Sequence, residues 1–323
     1  VTVIGAGPVG LYTAFILAQG GVDVAVFELE EDIIQLPKAA GYFPVVMDEF
    51  KKTGILSDVI KASIPMTGLS WRYPKQPALA QIAFPRDQIA IHLGQNKLSD
   101  IILQHLAKYN VPVKFNHRLI SLQQNPDDIH AFIEQRVGHT QVQHTTKYLI
   151  GADGGKSTVR KLLGIPFEGF SHTEFDIIAS NIDYPLHNYC DWPTANFIVD
   201  PEIWGIVVQT GEEWRVTVGV RSHLKMKDEW DEEQAIKMVK DRLPKILPGP
   251  TEQANIKAVS PYTMHQRCAA KFLDGRVILA GDAAHLTNPF GGLGLTTGLL
   301  DAALLGRVLR QVLVEGKSPS LLE

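Results

Sequence analysis

Residues 281–302 read GDAAHLTNPFGGLGLTTGLLDA, and this segment decides the fold of the chain. The apolar run RVILA directly before it predicts a buried strand, and the apolar residues at its end predict a helix. A lone carboxylate, Asp282, and a glycine-rich loop lie between the two elements. Backbone amides at the start of a helix, beside one acceptor for a hydroxyl group, suit a polyhydroxylated ligand with an electron-rich end. The segment therefore predicts a site for a polyhydroxylated cofactor.

The N-terminal residues have the spacing of a dinucleotide-binding fingerprint. The short strand Val1–Ile4 is followed by a glycine-rich turn and by an apolar helix that we expect to begin near Leu11. A second strand is expected at Val22–Phe27, and Glu28 ends it. In such a fingerprint the acid accepts hydrogen bonds from the adenosine ribose hydroxyls, which argues against a 2′-phosphate there.

Each glycine of this turn has its own steric task. Gly5 permits the tight turn, Gly7 lets a pyrophosphate approach the backbone, and Gly10 lets helix and strand pack closely. An ordinary strand-to-helix turn also uses glycine, but the succession of strand, glycines, helix, strand and acid favours the dinucleotide site. The expected cofactor contacts of the turn are Gly5, Gly7, Pro8, Val9 and Gly10.

A third segment, GADGGKSTVR, occupies residues 151–160 after a strand expected at Tyr148–Ile150. Asp153 begins a turn, and the hydroxyl of Ser157 can cap a helix expected at Thr158–Leu163. Alone, this pattern indicates a capped strand-to-helix turn. Its position between the other two motifs favours a third part of one cofactor site.

Together, the three segments resemble those of the single-component FAD-dependent aromatic hydroxylases, the para-hydroxybenzoate hydroxylase and phenol 2-monooxygenase-like family. The resemblance spans nearly the whole chain. It implies an α/β fold in which a Rossmann-like FAD-binding domain carries an inserted antiparallel-sheet substrate domain. We expect the first domain at 1–67, 85–166 and 262–323, and the second at 68–84 and 167–261. The phenol hydroxylase-like relatives often carry a further C-terminal segment, which the resemblance leaves open for this protein.

The resemblance also implies contacts for FAD. Asp282 would bind the ribityl chain, Pro289 would lie beside the isoalloxazine ring, and Gln95 would reach the flavin chain. Asp153 would support the pyrophosphate region and the face used by the nicotinamide cofactor. Backbone amides near flavin N1 and O2 would come from Gly292, Leu293, Gly294 and Leu295.

Two positions depart from the family pattern. Lys38 stands where the family has an arginine, so a phosphate contact survives but its bidentate geometry does not. Thr296 stands where many relatives have asparagine, and its hydroxyl can still form a local hydrogen bond. We therefore expect a small adjustment near the flavin.

The composition excludes several classes of protein. A chain of 323 residues with 45% apolar residues can bury a large core, and its net charge of −4 gives no basic surface for nucleic acid. No apolar run approaches the roughly 20 residues of a membrane-spanning helix. Cys190 and Cys268 form no CxxC pair, which predicts buried thiols in a reducing compartment and hence the cytoplasm. No Cys/His cluster has the spacing of metal ligands, so we expect no metal.

A sheet is predicted between the motifs. Prolines break residues 68–84 into two short strands, and Asp231–Arg242 has the pattern of an amphipathic helix. We expect one antiparallel sheet laid over the cofactor domain, with a ligand crevice between them. Its main strands are expected at Glu174–Ile182, Asn196–Val199, Gly205–Gln209 and Trp214–Val220.

The reaction follows from the resemblance. With one dinucleotide fingerprint, FAD is resident, and NADPH or NADH is a transient electron donor. In the family, dioxygen adds to the reduced flavin, and the flavin hydroperoxide hydroxylates an aromatic substrate, here a phenolic or polyketide-like one. Epoxidation, Baeyer–Villiger oxidation and oxidative dearomatisation use the same chemistry, and a non-catalytic flavin-binding redox sensor is an alternative of another class. Halogenation is disfavoured because no WxWxIP segment is present. Dimers are common among relatives, which leaves a homodimer open.

Residues on the substrate side are expected from their positions. Tyr42 should lie near the flavin and can bond a substrate hydroxyl as a catalytic residue, or it can be a packed aromatic. Tyr184, Trp204 and Arg215 fall on expected strands and can line the crevice, or serve the core or the surface. We assign His285, within the last motif, to positioning its loop.

Overall fold

The structure is a computed structural model that describes residues 1–35, 40–85, 89–225 and 229–323. Lys38 lies outside the described residues. The described residues form the helices α1 (Pro8–Gln19), α2 (Pro44–Thr53), α3 (Leu56–Ala62), α4 (Gln95–Ala107), α5 (Thr158–Leu162), α6 (Glu232–Ile246) and α7 (Leu293–Leu313). Their strands are β1 (Thr2–Ile4), β2 (Ala25–Phe27), β3 (Gly41–Tyr42), β4 (Ile64–Pro65), β5 (Gly68–Arg72), β6 (Ala78–Ala83), β7 (Ile91–His92), β8 (Val113–Lys114), β9 (His117–Gln124), β10 (Ile129–Gln135), β11 (Thr140–Thr146), β12 (Leu149–Gly151), β13 (Phe167–Asp183), β14 (Ala195–Ile198), β15 (Gly205–Gln209), β16 (Trp214–Arg221), β17 (Asn255–Ala269), β18 (Leu273–Asp274), β19 (Val277–Leu279) and β20 (His285–Leu286).

A six-stranded sheet with the order β18-β19-β12-β1-β2-β8 forms the centre of the cofactor unit. The strands from β19 to β8 are parallel, and β18 joins the edge in the antiparallel direction. The three-residue strands β1, β12 and β19 are fully buried, because helices cover one face of the sheet and strands cover the other. Residues of α1, α4 and α7 share one apolar core with the first face. Residues of β9 and β10, from the three-stranded sheet β11-β10-β9, pack against the second. This is the Rossmann-like arrangement that the sequence predicts.

The second large sheet has eight strands in the order β20-β17-β13-β16-β15-β14-β5-β6. Both expected segments contribute strands to it. The prediction of a purely antiparallel sheet is wrong at one pair, because β14 and β5 run parallel. These two strands come from separate segments, so no hairpin forces them to be antiparallel. Helix α6 covers one face of this sheet, with Val239 and Leu243 packed among Val216 and Val218 of β16.

Several elements extend beyond their expected ends. Helix α1 begins at Pro8, the first helical position, where the missing N–H of proline removes no hydrogen bond. Helix α6 continues past Arg242 and contains Pro244, and Leu247 N–H still bonds to the carbonyl of Leu243. Strand β17 runs through residue 262, at which the domain boundary was expected, and pairs with β13 on both sides of it. The division into domains stays a prediction.

Candidate flavin site and crevice

The three sequence motifs meet at one edge of the six-stranded sheet. They follow β1, β12 and β19, which are parallel neighbours, so their carboxyl ends point the same way. A Cβ atom on Gly5 would lie 2.4 Å from the carbonyl oxygen of Ala152, and one on Gly281 would lie 3.0 Å from Val9. The turns therefore touch one another, and only glycine permits these contacts. Such an edge is where open parallel sheets bind their ligands.

The glycine turn leaves backbone amides and space for a ligand. Gly5 has φ +106, and a Cβ atom on Gly10 would come within 2.0 Å of the carbonyl oxygen of Gly5. A Cβ atom on Gly7 would meet no other group within 4 Å, so the space in front of this residue is open. Gly7 begins α1 without a side-chain cap. Helix α1 starts with Pro8 and Val9. The N–H groups of its first turn, from Val9 onward, can therefore bind a pyrophosphate.

Glu28 braces this turn. One carboxylate oxygen accepts a hydrogen bond from Ala6 N–H at 2.6 Å, and the other accepts one from Glu30 N–H at 2.9 Å. The side chain therefore lies beside the glycine turn, as the fingerprint requires. Its contact with a ribose stays a prediction.

Asp153 organises the second motif. Its Oδ2 accepts hydrogen bonds from the N–H groups of Thr158 (2.6 Å) and Val159 (3.1 Å), and its Oδ1 accepts one from the Ser157 hydroxyl (2.5 Å). Burial raises the pKa of the Asp153 carboxyl, and these hydrogen bonds oppose the rise. Ser157 Oγ accepts from Arg160 N–H at 3.0 Å, which confirms the predicted helix cap. The carboxylate of Asp153 thus serves its own helix and fixes the shape of the turn.

The third motif presents a second free helix start. Gly292 has φ +62 and begins α7 without a side-chain cap, so the amides of Leu293, Gly294 and Leu295 are available to a ligand. Asp282, on the turn before this loop, is exposed. A Cβ atom on Gly292 would lie 3.7 Å from the ring of Phe43. The segment after β3 therefore closes one side of the loop.

Two buried oxygens mark unmet polar contacts in the helices predicted to hold the flavin. Among the described residues, Thr296 Oγ1 in the first turn of α7 has no hydrogen-bond partner. The same holds for Asn96 Oδ1 in the first turn of α4, next to Gln95. Buried oxygens of this kind are costly unless a ligand or water satisfies them. With the two free helix starts and the open space at Gly7, they fit the hydroxyl, carbonyl and phosphate groups of FAD.

Trp204 bridges the eight-stranded sheet and the flavin loop. Its ring centroid lies 5.5 Å from that of Phe290, beside Pro289 in the third motif, and 5.8 Å from that of Phe175 on β13. The indole lies on Gly219 of β16, where a Cβ atom would come within 1.9 Å of it. The structure thus brings Trp204 to the crevice between sheet and loop. Phe290 and Phe175 were missed by the sequence analysis, although Phe290 follows the motif proline directly.

Arg215 lies on the same face of β16. It alternates with Trp214 and Val216, which pack with α6, so its side chain points to the crevice side. Its Nη1 donates to Asn181 Oδ1 at 2.9 Å, and among the described residues it has no carboxylate partner. Burial lowers the pKa of Arg215, and Tyr262 on β17 opposes that shift. Burial raises the pKa of Tyr262, against the effect of Arg215. Asn181 and Tyr262 were also missed, because sequence does not give strand register.

Two predicted tyrosines do not face the crevice. Tyr42 is fully buried near Phe50, its hydroxyl has no partner among the described residues, and burial raises its pKa. Tyr184 corrects a sequence expectation. It packs in the core under α6, donates a hydrogen bond to the carbonyl of Pro248, and burial raises its pKa to about 12. Its strand ends at Asp183, so the side chain follows the turn towards α6 and leaves the crevice.

A separate cavity of about 520 Å³ opens near the ends of β4, β5 and β14. None of the residues that line it belongs to the three motifs. Thr194 lines this cavity, and His92 lies behind Thr194. His92 is buried, and burial lowers the pKa of this histidine to about 4. The neutral ring shares a hydrogen bond with Thr194 Oγ1 at 3.0 Å, which indicates a structural role.

Other expectations concern metals, membranes and thiols. Within residues 1–35, 40–85, 89–225 and 229–323, no three His, Cys, Asp or Glu side chains form a metal-binding group. In the same ranges, none of the helices combines the length and the apolar character that a membrane crossing requires. Both cysteines are free, but Cys268 is exposed, which corrects the expectation of two buried thiols. It lies on β17 next to the edge of the sheet, between β13 and the short edge strand β20.

The chain is similar to known proteins over its whole length. Residues 1–323 match the family described as FAD binding domain. The chain is 36% identical to para-nitrophenol 4-monooxygenase from Pseudomonas sp. (strain WBC-3), over 100% of this chain and 80% of that protein. The crystal structure of p-nitrophenol 4-monooxygenase from Pseudomonas putida DLL-E4 has a TM-score of 0.92 and 34% identity, over 99% of this chain and 82% of that one. A ternary complex of aklavinone-11 hydroxylase with FAD and aklavinone has a TM-score of 0.88 and 25% identity, over 99% and 64%.

Proposed function

Because the chain belongs to the family of FAD-dependent aromatic monooxygenases that share this FAD binding domain, we propose that it hydroxylates a phenolic or polyketide-like aromatic substrate. NADH or NADPH supplies two electrons, one oxygen atom of O₂ enters the ring, and the other leaves as water. The observation that carries the proposal is the contact of Trp204 with Phe290. It joins the sheet face that we assign to the substrate to the loop that follows Asp282.

Residues of all three motifs would hold FAD. The amides after Gly7 would bind the pyrophosphate, Glu28 the adenosine ribose, and Asp282 the ribityl chain, with Gln95 reaching the same chain. Pro289 and the amides of α7 would lie against the flavin ring. When bound, FAD supplies the activation of dioxygen for transfer of one oxygen atom. The positive end of α7 would stabilise negative charge on the flavin pyrimidine by ~0.3–2 kcal/mol.

The aromatic ring of the substrate would lie between Trp204 and the cofactor. Trp204 and Phe290 offer apolar faces for stacking, and Arg215 offers a positive charge without a carboxylate partner among the described residues. A phenolate or another electron-rich oxygen suits such a guanidinium. The relatives named for nitrophenol and aklavinone support a phenolic or polyketide-like ring.

Tyr42 has a different task in this proposal. Its enclosed ring would pack in the wall beside Phe43, in place of the catalytic role that its sequence position suggested. Asp153 would shape the pyrophosphate region, next to which the nicotinamide donor docks. The two free cysteines support a reducing compartment, and we propose the cytoplasm on that ground.

The test is NADH and NADPH oxidation by the purified flavoprotein with a panel of phenols, while oxygen uptake and peroxide are followed. The proposal predicts that one phenol accelerates oxidation and lowers the ratio of peroxide to hydroxylated product. Slow oxidation that no aromatic alters, with all oxygen recovered as peroxide, would contradict an aromatic substrate. Oxidation no faster than with free FAD would favour a flavin-binding protein without turnover.

A further inference from the structure

A carboxylate of the long helix α7 reaches back to the turn that carries Asp282. Oδ2 of Asp301 accepts a hydrogen bond from Gly281 N–H, with 3.0 Å between nitrogen and oxygen. The same oxygen lies 2.7 Å from Nε2 of His285. Gly281 directly precedes Asp282, and His285 closes the same turn. The two contacts therefore bracket the residue predicted to bind the ribityl chain.

Close packing fixes the distance between this turn and α7. Gly281 has φ +59, and a Cβ atom there would lie 3.0 Å from Val9 of α1. A Cβ atom on Gly298 of α7 would lie 2.7 Å from Val9 and 3.3 Å from Gly281 Cα. The backbone of the turn thus packs against the Val9 side chain of α1 and directly against the backbone of α7 at Gly298. Asp301, one turn further along α7, is held within reach of the Gly281 N–H.

His285 connects the same carboxylate to the other large sheet. His285 lies on β20, which pairs with β17 and sets His285 opposite Cys268. The hydrogen bond that His285 Nε2–H donates to the Asp301 carboxylate raises the pKa of His285, which favours an ionic pair. Asp301 therefore bonds to the turn after β19 of the six-stranded sheet and to the edge strand of the eight-stranded sheet.

We propose that Asp301 is a positioning residue for FAD, which orients the Asp282 carboxylate through Gly281 and ties its turn to the eight-stranded sheet through His285. The inference rests on the proposed function, because it takes FAD as the ligand of Asp282. It assigns Asp301 no contact of its own with the cofactor. The adenosine diphosphate end of FAD is assigned to the glycine turn and Glu28. Loss of Asp301 should therefore weaken one end of the cofactor only.

The experiment compares two ligands on the full chain stripped of flavin. FAD is titrated with flavin fluorescence as the signal, and ADP is titrated as its competitor. For Asp301→Asn we expect the dissociation constant of FAD to rise about tenfold. The neutral asparagine amide cannot form the ionic pair with His285, and it offers Gly281 N–H only an uncharged acceptor. The dissociation constant of ADP should stay unchanged. His285→Gln, which removes the ionic pair but keeps a donor, should give a smaller rise for FAD and none for ADP.

Asp58→Asn is the matched control. Asp58 forms a similar pair with His105 Nε2 at 2.8 Å, on α3 and far from the motifs in sequence, and its removal should leave both constants unchanged. Equal losses of FAD and ADP affinity in Asp301→Asn would mean a general structural defect and would overturn the proposal. Unchanged FAD affinity in Asp301→Asn and in His285→Gln would overturn it as well. If the unaltered protein does not bind FAD, the proposed function itself is wrong. The titration of the unaltered protein with FAD separates this outcome from the others.

Discussion

The indole of Trp204 lies flat against Gly219, so closely that a Cβ atom at residue 219 would come within 1.9 Å of Trp204 Cε2. The two residues are also joined through the backbone, since Gly219 N–H donates to the Trp204 carbonyl at 3.2 Å. The absence of a side chain at one position of β16 therefore sets the position of the aromatic wall that contacts Phe290.

Gly219→Ala should displace Trp204 and weaken substrate binding. The new methyl group cannot share the volume of the indole, so the ring must leave its present position between Gly219 and Phe290, at a cost of ~1–3 kcal/mol in unfolding free energy. We expect KM for the phenolic substrate to rise about tenfold or more, with flavin content retained. Steady-state kinetics and the flavin absorbance per protein give both values. In a Trp204→Ala background the same substitution should add little, and an additive effect would refute the steric explanation.

Arg215→Gln should weaken recognition of an oxygen-bearing substrate. The neutral amide loses a charge-assisted hydrogen bond, worth ~1.5–3 kcal/mol, so KM should rise by about ten- to a hundredfold. FAD affinity should not change, because Arg215 lies on the sheet and outside the motifs. Lys257→Gln removes a cation of β17, which is separated from β16 by β13 and where Lys257 pairs with Glu213, and serves as the control. An equal rise in KM for both variants would contradict a specific role of Arg215.

Asp282→Ala should lower FAD occupancy without unfolding the chain. The side chain is exposed, so its removal leaves no buried cavity, whereas a ribityl hydroxyl would lose its acceptor. Flavin content after purification and the far-UV circular dichroism spectrum measure the two effects. Asp274→Ala, at a carboxylate paired with Lys271, provides the comparison. Normal flavin content in Asp282→Ala would contradict the assignment of this motif.

The His285–Asp301 pair should make stability depend on pH. The pKa of His285 is raised, chiefly by the hydrogen bond to Asp301, and Asp282 of the same turn adds to the rise. Cys268 faces His285 from β17. A histidine with a raised folded-state pKa stabilises the fold fully below its ordinary value, about 6.5, and this contribution disappears as pH rises through the raised pKa.

We therefore expect the thermal midpoint of the native protein to fall, relative to His285→Gln, as pH increases from about 6 to about 9. Thermal unfolding at several pH values measures the difference. Parallel curves for the two proteins would show that the pair does not contribute in this way. Asp58→Asn, at the other His–Asp pair, controls for general effects of pH on the fold.

The cofactor half of the molecule could be predicted from the sequence because its signals are local. Gly5, Gly281 and Gly292 adopt positive φ in turns that join adjacent elements, and the Ser157 cap spans one helical turn. Each motif contains its own strand, turn and helix. The parallel order of β1, β12 and β19 then brings the motifs together without further information.

The residues of the crevice could not be predicted in the same way, because they are brought together by contacts between distant segments. Tyr184 and Trp204 were both expected on strands that line the crevice, yet one packs under α6 and the other reaches Phe290. Which face of a strand a side chain occupies depends on register, and a shift by one residue reverses it. The same reason hid Asn181 and Tyr262 as neighbours of Arg215.

The sequence by itself thus determined the flavin-binding motifs and the family, since close backbone approach and helix capping act over a few residues. Only the tertiary structure decided which aromatic side chains form the crevice and that Asp301 holds the turn of Asp282. Those contacts join residues that are distant in the sequence, such as Asp301 with Gly281, which lies 20 positions away. Their geometry follows from how sheets and helices pack, which no local pattern specifies.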